Sequence, residues 1–139
     1  MKTKNQGKKK QKGGYVDGFV FTVPKKNIKM YKKMAREAEE VWMRFGALDY
    51  KECMGEDLKT KSMGGMKPLS FTKLTKAKQS DTVWFSFITF KSRTHRDLVN
   101  KKVMGYFDKK YANIDPKDFP MPFDPREMVY GGFAVEVSS

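Results

Sequence analysis

A single cysteine, Cys53, stands in the 139-residue sequence, which excludes an internal disulfide and points to a reducing, cytoplasmic setting. One histidine, His95, beside that one cysteine cannot build a closed zinc site within one chain, and no metal or other cofactor is expected. No apolar run approaches the ~20 residues that cross a bilayer. The first residues carry charge without an apolar stretch, so neither a membrane partner nor a secretory leader is expected. The phosphate loop, the HExxH helix, the dinucleotide fingerprint and the nucleophile elbow are all missing, and the chemistries they bring go with them. Acidic residues are scarce: 16 against 29 Lys and Arg, a net charge of +13.

Six of the positive charges, Lys2, Lys4, Lys8, Lys9, Lys10 and Lys12, fall in the first 14 residues. That segment has nothing to pack and reads as a disordered basic tail. It is either a solvated arm or a weak contact for RNA or another polyanion through residues 2–12; lysine without interleaved aromatics or arginine is a weak recognition signal. Residues 15–139 read as one domain, long enough to bury a core, with eleven Phe and ten Met to fill it.

Strand one is expected over Tyr15–Val23, with Tyr15, Asp17, Phe19, Phe21 and Val23 on one face and Val16, Gly18, Val20 and Thr22 on the other. Helix one follows Pro24 to about Phe45, with Ile28, Tyr31, Ala35, Ala38, Val41, Trp42 and Phe45 spaced by threes and fours and Gly46 as its C′ residue. A more polar strand two covers Ala47–Asp57, as suits an edge. Leu58–Asp81 contains Gly64-Gly65 and Pro68 and reads as a loop, mobile near Ser62–Lys67, with a short strand or helical turn around Leu69–Thr75. Strand three is Thr82–Phe90. Ser92 N-caps helix two, whose stripe is His95, Val99, Val103 and Tyr106. Asn113–Pro125, with four prolines, is expected to be extended and polyproline-like, and strand four runs from Met128 to Val137.

The order βαββαβ is the ferredoxin-like split pattern, an α+β fold with a four-stranded antiparallel sheet and two helices on one face. Strands one, three and four are nevertheless apolar on both faces. One chain has no further helix for the second face, and a second copy packed sheet to sheet supplies the cover, so a homodimer is expected.

Four segments resemble a known family. Tyr15-Val16-Asp17-Gly18-Phe19, Glu52-Cys53-Met54-Gly55-Glu56-Asp57, Ser92 with Arg96-Asp97, and Met121 to Phe133 stand in the order found in the YbaA-like family, domain of unknown function 1428. The resemblance spans Tyr15 to about Val137. It implies the dimeric α+β barrel fold, whose relatives include cofactor-free enzymes and ligand-sensing domains, and it carries no catalytic assignment. Met54 departs from the family's Trp, Glu56 from an Asp, and the insert after Leu58 is long.

Site candidates follow from residue chemistry. Asp17, on a face shared with aromatics, is the candidate general acid or base; its alternative is an ion pair with a Lys or Arg. Glu52, with Tyr50 and Met54, either lines a pocket or forms the polar face of an edge strand. Cys53 reads as a nucleophile in the pocket, which would need a base although the only His is on another element, or as a buried structural thiol. Trp84 is a further pocket candidate. Asp124, Arg126 and Tyr130 cluster before and within strand four, where Arg126 either clamps a carboxylate or pairs with Asp124. The expected function is binding of an unidentified small molecule, with cofactor-free turnover of a small organic substrate as one form of it. The other reading is a non-catalytic dimer whose basic tail meets a polyanion.

Overall fold

The computed structural model describes residues 13–139. The expected contact of residues 2–12 with a polyanion therefore lies outside the described residues. The elements are β1 (Tyr15–Pro24), α1 (Ile28–Arg44), β2 (Asp49–Met54), α2 (Phe71–Thr75), β3 (Asp81–Phe90), α3 (Arg93–Lys110) and β4 (Val129–Ala134), with 3-10 turns at Lys25–Asn27, Pro116–Asp118 and Pro125–Glu127. The four strands form one antiparallel sheet in the order β2-β3-β1-β4. The protein is thus an α+β fold with three α-helices among the described residues. No helix among them is long and apolar enough to cross a membrane.

Pairing register explains which face is buried. Tyr15 opposes Phe90, Asp17 opposes Ile88 and Phe21 opposes Trp84, so these side chains share one face. On that face Phe21, Val23, Tyr31, Ala35 and Trp84 form one core cluster, and Tyr15, Val41, Ala47, Ile88, Phe90, Val99 and Val103 form another. Phe19 packs against both, bridging the part under the start of α1 and the part under α3.

The opposite face is turned away from both core clusters, and α2 lies near its Thr22 end. Val16, Val20, Phe85, Phe87, Val129 and Phe133 share it by register, with Lys51 and Cys53 at the β2 edge. Phe133 is 62% exposed and Phe85 47%. Cys53 is exposed there, contrary to its reading as a buried thiol.

Local chemistry sets the element boundaries. Ser92 Oγ accepts from the His95 amide at 3.1 Å and starts α3; Ser70 Oγ accepts from the Lys73 amide at 3.0 Å and starts α2. Gly46, φ 116°, lets the chain turn off α1 straight towards β2. The expected polyproline stretch is corrected: two of its prolines open 3-10 turns, because Asp115 and Asp124 cap them from the preceding position. β2 and β4 are each shorter than expected. The insert closes a small bridge between Met63 and Met66, and α2 follows it. Gly14 donates to Phe90 O at 2.8 Å and accepts from the Val135 amide at 3.0 Å. The sheet's hydrogen bonding therefore begins one residue inside the segment read as tail.

Candidate functional site

Two polar clusters are built on the helix-facing side of the sheet. The first surrounds Asp17, which is 1% exposed. Its Oδ1 accepts from Arg96 Nη1 at 3.0 Å, and Asn100 Nδ2 lies 3.4 Å from Oδ2. Arg96 comes from the first turn of α3, its side chain 13% exposed. It also donates to the Tyr130 hydroxyl at 2.9 Å and the Tyr15 hydroxyl at 3.2 Å, and its Nε is 2.9 Å from Asp97 Oδ1. Its guanidinium lies over the Tyr15 ring. Burial pushes the Asp17 carboxyl above the ordinary carboxylate range, and Arg96, Asn100 and Tyr130 pull it back only in part. Gly132 makes room for this cluster: a Cβ there would lie 2.4 Å from the Tyr15 hydroxyl.

The second cluster surrounds Glu52, on β2. Tyr31, from the first turn of α1, donates its hydroxyl to Oε1 at 2.7 Å. Tyr50, two residues back on the same strand face, donates to Oε2 at 2.7 Å. The β period places Tyr50 and Glu52 side by side, and the α1 stripe presents Tyr31 to them from above. Burial raises Glu52 above the usual carboxylate range, with the hydroxyls of Tyr31, Tyr50 and Ser86 offsetting part of the rise. Burial and the nearby Glu52 charge also push both tyrosines far up, so their hydroxyls stay protonated donors.

Glu52 lies on the wall of a cavity of about 170 Å³ between α1 and the sheet. The remaining walls are almost wholly apolar, chiefly Phe19, Phe21, Ile88, Met34, Trp42 and Phe123. It lies where the two core clusters meet at Phe19. Phe123 comes from the proline segment, packing 5.2 Å from the Phe21 ring and 5.7 Å from Tyr31. A groove of about 480 Å³ on the outer side of the same carboxylate is lined by Lys32, Arg36, Glu39, Met54 and Trp84.

The sequence candidates are therefore divided. Glu52 and Trp84 share a wall. Trp84 itself is buried, with Nε1 donating to Thr82 Oγ1 at 2.9 Å. Asp17 and Tyr130 are brought together by Arg96, and Asp17 lines neither the cavity nor the outer groove. Asp124 and Arg126 form an exposed, two-pronged pair at 3.0 and 2.9 Å. Cys53 points from the opposite face of the sheet. His95 accepts from the Lys91 amide at 3.0 Å and packs against Phe90. Among the described residues no three of His, Cys, Asp and Glu are placed to hold a metal ion.

Tyr31, Arg96, Asn100, Trp42 and Ser86 did not emerge as site residues from sequence. Tyr31 and Trp42 read as apolar stripe, and Arg96 as part of a helix start. The usable signal was Asp17, a carboxylate on a strand face shared with aromatics, since a buried carboxylate demands a donor.

Comparison with known proteins agrees with the four sequence segments. Residues 14–125 match the profile of the family described as Protein of unknown function (DUF1428). The chain belongs to this family. It is 37% identical over 123 residues to Uncharacterized protein YbaA of Escherichia coli (strain K12), covering 86% of this chain and 93% of the relative. The same identity and coverage hold for Uncharacterized protein YbaA of Shigella flexneri. In this DUF1428 chain the matched region includes the Glu52 cluster, the Asp17 cluster apart from Tyr130, and every wall of the Glu52 cavity except Met128.

Proposed function

We propose that this DUF1428 protein binds a small organic molecule between α1 and the sheet, with Glu52 as its polar anchor, and does so as a dimeric α+β barrel. The observation that carries the reading is a carboxylate held at both oxygens by tyrosine hydroxyls on the wall of an otherwise apolar cavity. Core packing alone would favour an apolar residue there, because a carboxylate loses hydration on burial. Ligand sites commonly combine apolar walls with a few placed polar groups and a shifted pKa. A cavity of about 150 Å³ holds benzene, so this one suits a single ring or a short chain. The raised carboxyl is suited to exchanging a proton with its guest, which needs no cofactor. Asp17, with Arg96 and Asn100 upon it, serves in this reading as an anchor between β1 and α3.

The sheet order β2-β3-β1-β4 supports the ferredoxin-like arrangement, and the uncovered apolar face supports pairing of two copies through it. In a soluble chain such a face favours a partner of the same kind.

Phenol and benzene are the direct probes, followed by NMR shifts of the Trp42 indole. Phenol is expected to bind more tightly than benzene to the wild type and equally to Glu52→Gln. Absence of binding by either compound at millimolar concentration would overturn the reading.

A further inference from the structure

A second space adjoins the cavity. A groove of about 630 Å³ runs between α1 and α3, floored by Met34, Ala38 and Trp42 and walled by Phe107, Tyr111 and Phe119. Met34, Ala38 and Trp42 line the Glu52 cavity as well. They stand at i, i+4 and i+8, one stripe of α1 spanning about 12 Å. Cavity and groove are thus separated by a single layer of side chains, one of them only a methyl group.

The groove walls are chiefly aromatic and apolar, with two carboxylates, Glu37 and the exposed Asp108, among them. Glu37 accepts from Tyr111 at 2.7 Å and pairs with Lys110, closing one side. That leaves only Asp108, exposed to solvent, and no buried polar anchor for a second head group. Trp42 is fixed from behind, its Nε1 donating to Asn100 Oδ1 at 2.9 Å. Met34, unbranched and with three rotatable side-chain bonds, is the wall residue best able to move aside.

We infer that the ligand is an amphiphile: one hydrogen-bond-donating head, a hydroxyl or amine, at Glu52, and an unbranched apolar tail passing Ala38 into the α1–α3 groove. This rests on the proposed role of the Glu52 cavity. The head must donate, because both tyrosine hydrogens already point at the carboxylate, whose remaining lone pairs accept. An anionic head is disfavoured by the same charge. The length of the α1 stripe sets the tail at a medium chain.

The test is a series of straight-chain primary alcohols from ethanol to decanol, measured by displacement of phenol from the wild-type protein. Affinity is expected to rise roughly fourfold per methylene and to level off once the groove is full. Ala112→Trp places a large side chain at the groove's outer rim, at an exposed position where folding is untouched. It is expected to cut octanol affinity to that of butanol, with the melting temperature of the wild type. Phenol binding with no chain-length dependence would overturn the amphiphile and leave the Glu52 site standing. A chain-length dependence untouched by Ala112→Trp would place the tail elsewhere and overturn it too. Failure of both phenol and the alcohols to bind would remove the Glu52 reading together with this one.

Discussion

Replacing Arg96 by Met probes the joint between β1 and α3. The side chain keeps its bulk and loses its charge. Asp17, 1% exposed, then loses the one cation within hydrogen-bonding distance and retains the neutral donors Asn100, at 3.4 Å, and Tyr130. Breaking a buried pair from one side costs about 3 kcal/mol. For a domain of this size that is a fall of ~10 °C in melting temperature. The loss is expected to depend on pH. The folded carboxyl already titrates above its unfolded value of about 3.9, and removal of Arg96 raises it further. For an acid whose folded pKa is raised, stability is greatest with the group protonated and falls as pH climbs from the unfolded towards the folded value. Urea melts at pH 4 and pH 7 are therefore expected to show a small deficit at the lower pH and most of it at the higher. Asp17→Asn is expected to cost less, since Arg96 keeps Asp97 at 2.9 Å and reaches water. The double variant is expected to recover most of the Arg96→Met deficit, because it leaves no buried charge. Equal losses at both pH values, or a double variant as weak as Arg96→Met, would refute the ion-pair account.

Other changes have equally definite outcomes. Glu52→Gln removes an ionisable group whose folded pKa is raised, so its melting temperature is expected to match the wild type at pH 4 and equal or exceed it at pH 8. Gly105→Ala, in the interior of α3 with open space around the added methyl, is expected to gain about 0.5–1 kcal/mol in chemical denaturation. Phe133→Glu, on the uncovered face, is expected to yield a monomer by light scattering across a dilution series; an unchanged dimer would move the interface elsewhere. Deleting residues 1–12 is expected to leave the thermal melt unaltered and to weaken any salt-dependent polyanion binding.

The parts of the fold that were legible in sequence are those with long, repeated patterns. β1, α1, β3 and α3 each offered nine or more residues of alternation or of three-and-four spacing, and each lies where that pattern put it. Short elements were harder. β4 is a six-residue edge strand with two glycines, and nothing in Val135 to Val137 distinguishes a continuing strand from an unpaired one. Within the proline segment Asp124-Pro125 is a legible turn start, which Asp124 caps and Arg126 pairs with; Asp115-Pro116 carries the same signal, and both sites form 3-10 turns in place of an extended run. Of the site, Asp17 is legible as a carboxylate on a face shared with aromatics, whereas Glu52 on the polar strand two reads equally as a pocket residue or as part of an exposed edge. Their partners were not legible, because Tyr31 lies 21 residues from Glu52 and Arg96 lies 79 from Asp17. No local period connects residues so distant; only the packing of α1 and α3 on the sheet does.

Gly132 has a kinetic consequence. The ring of Tyr15 leans across β4 where a side chain would otherwise stand, so this strand is held by a neighbour's aromatic and not by bulk of its own. β4 pairs on one side only, and most of its residues are exposed. Few buried contacts over a glycine-containing edge make it the segment to detach first while the rest stays folded. In deuterium exchange its amides should label ahead of those in β1 and β3, and by the same opening release Tyr15, Tyr130 and Arg96 together. Self-association through the Val129 and Phe133 face would close that route, so β4 labelling would slow with protein concentration while labelling of α1 would not.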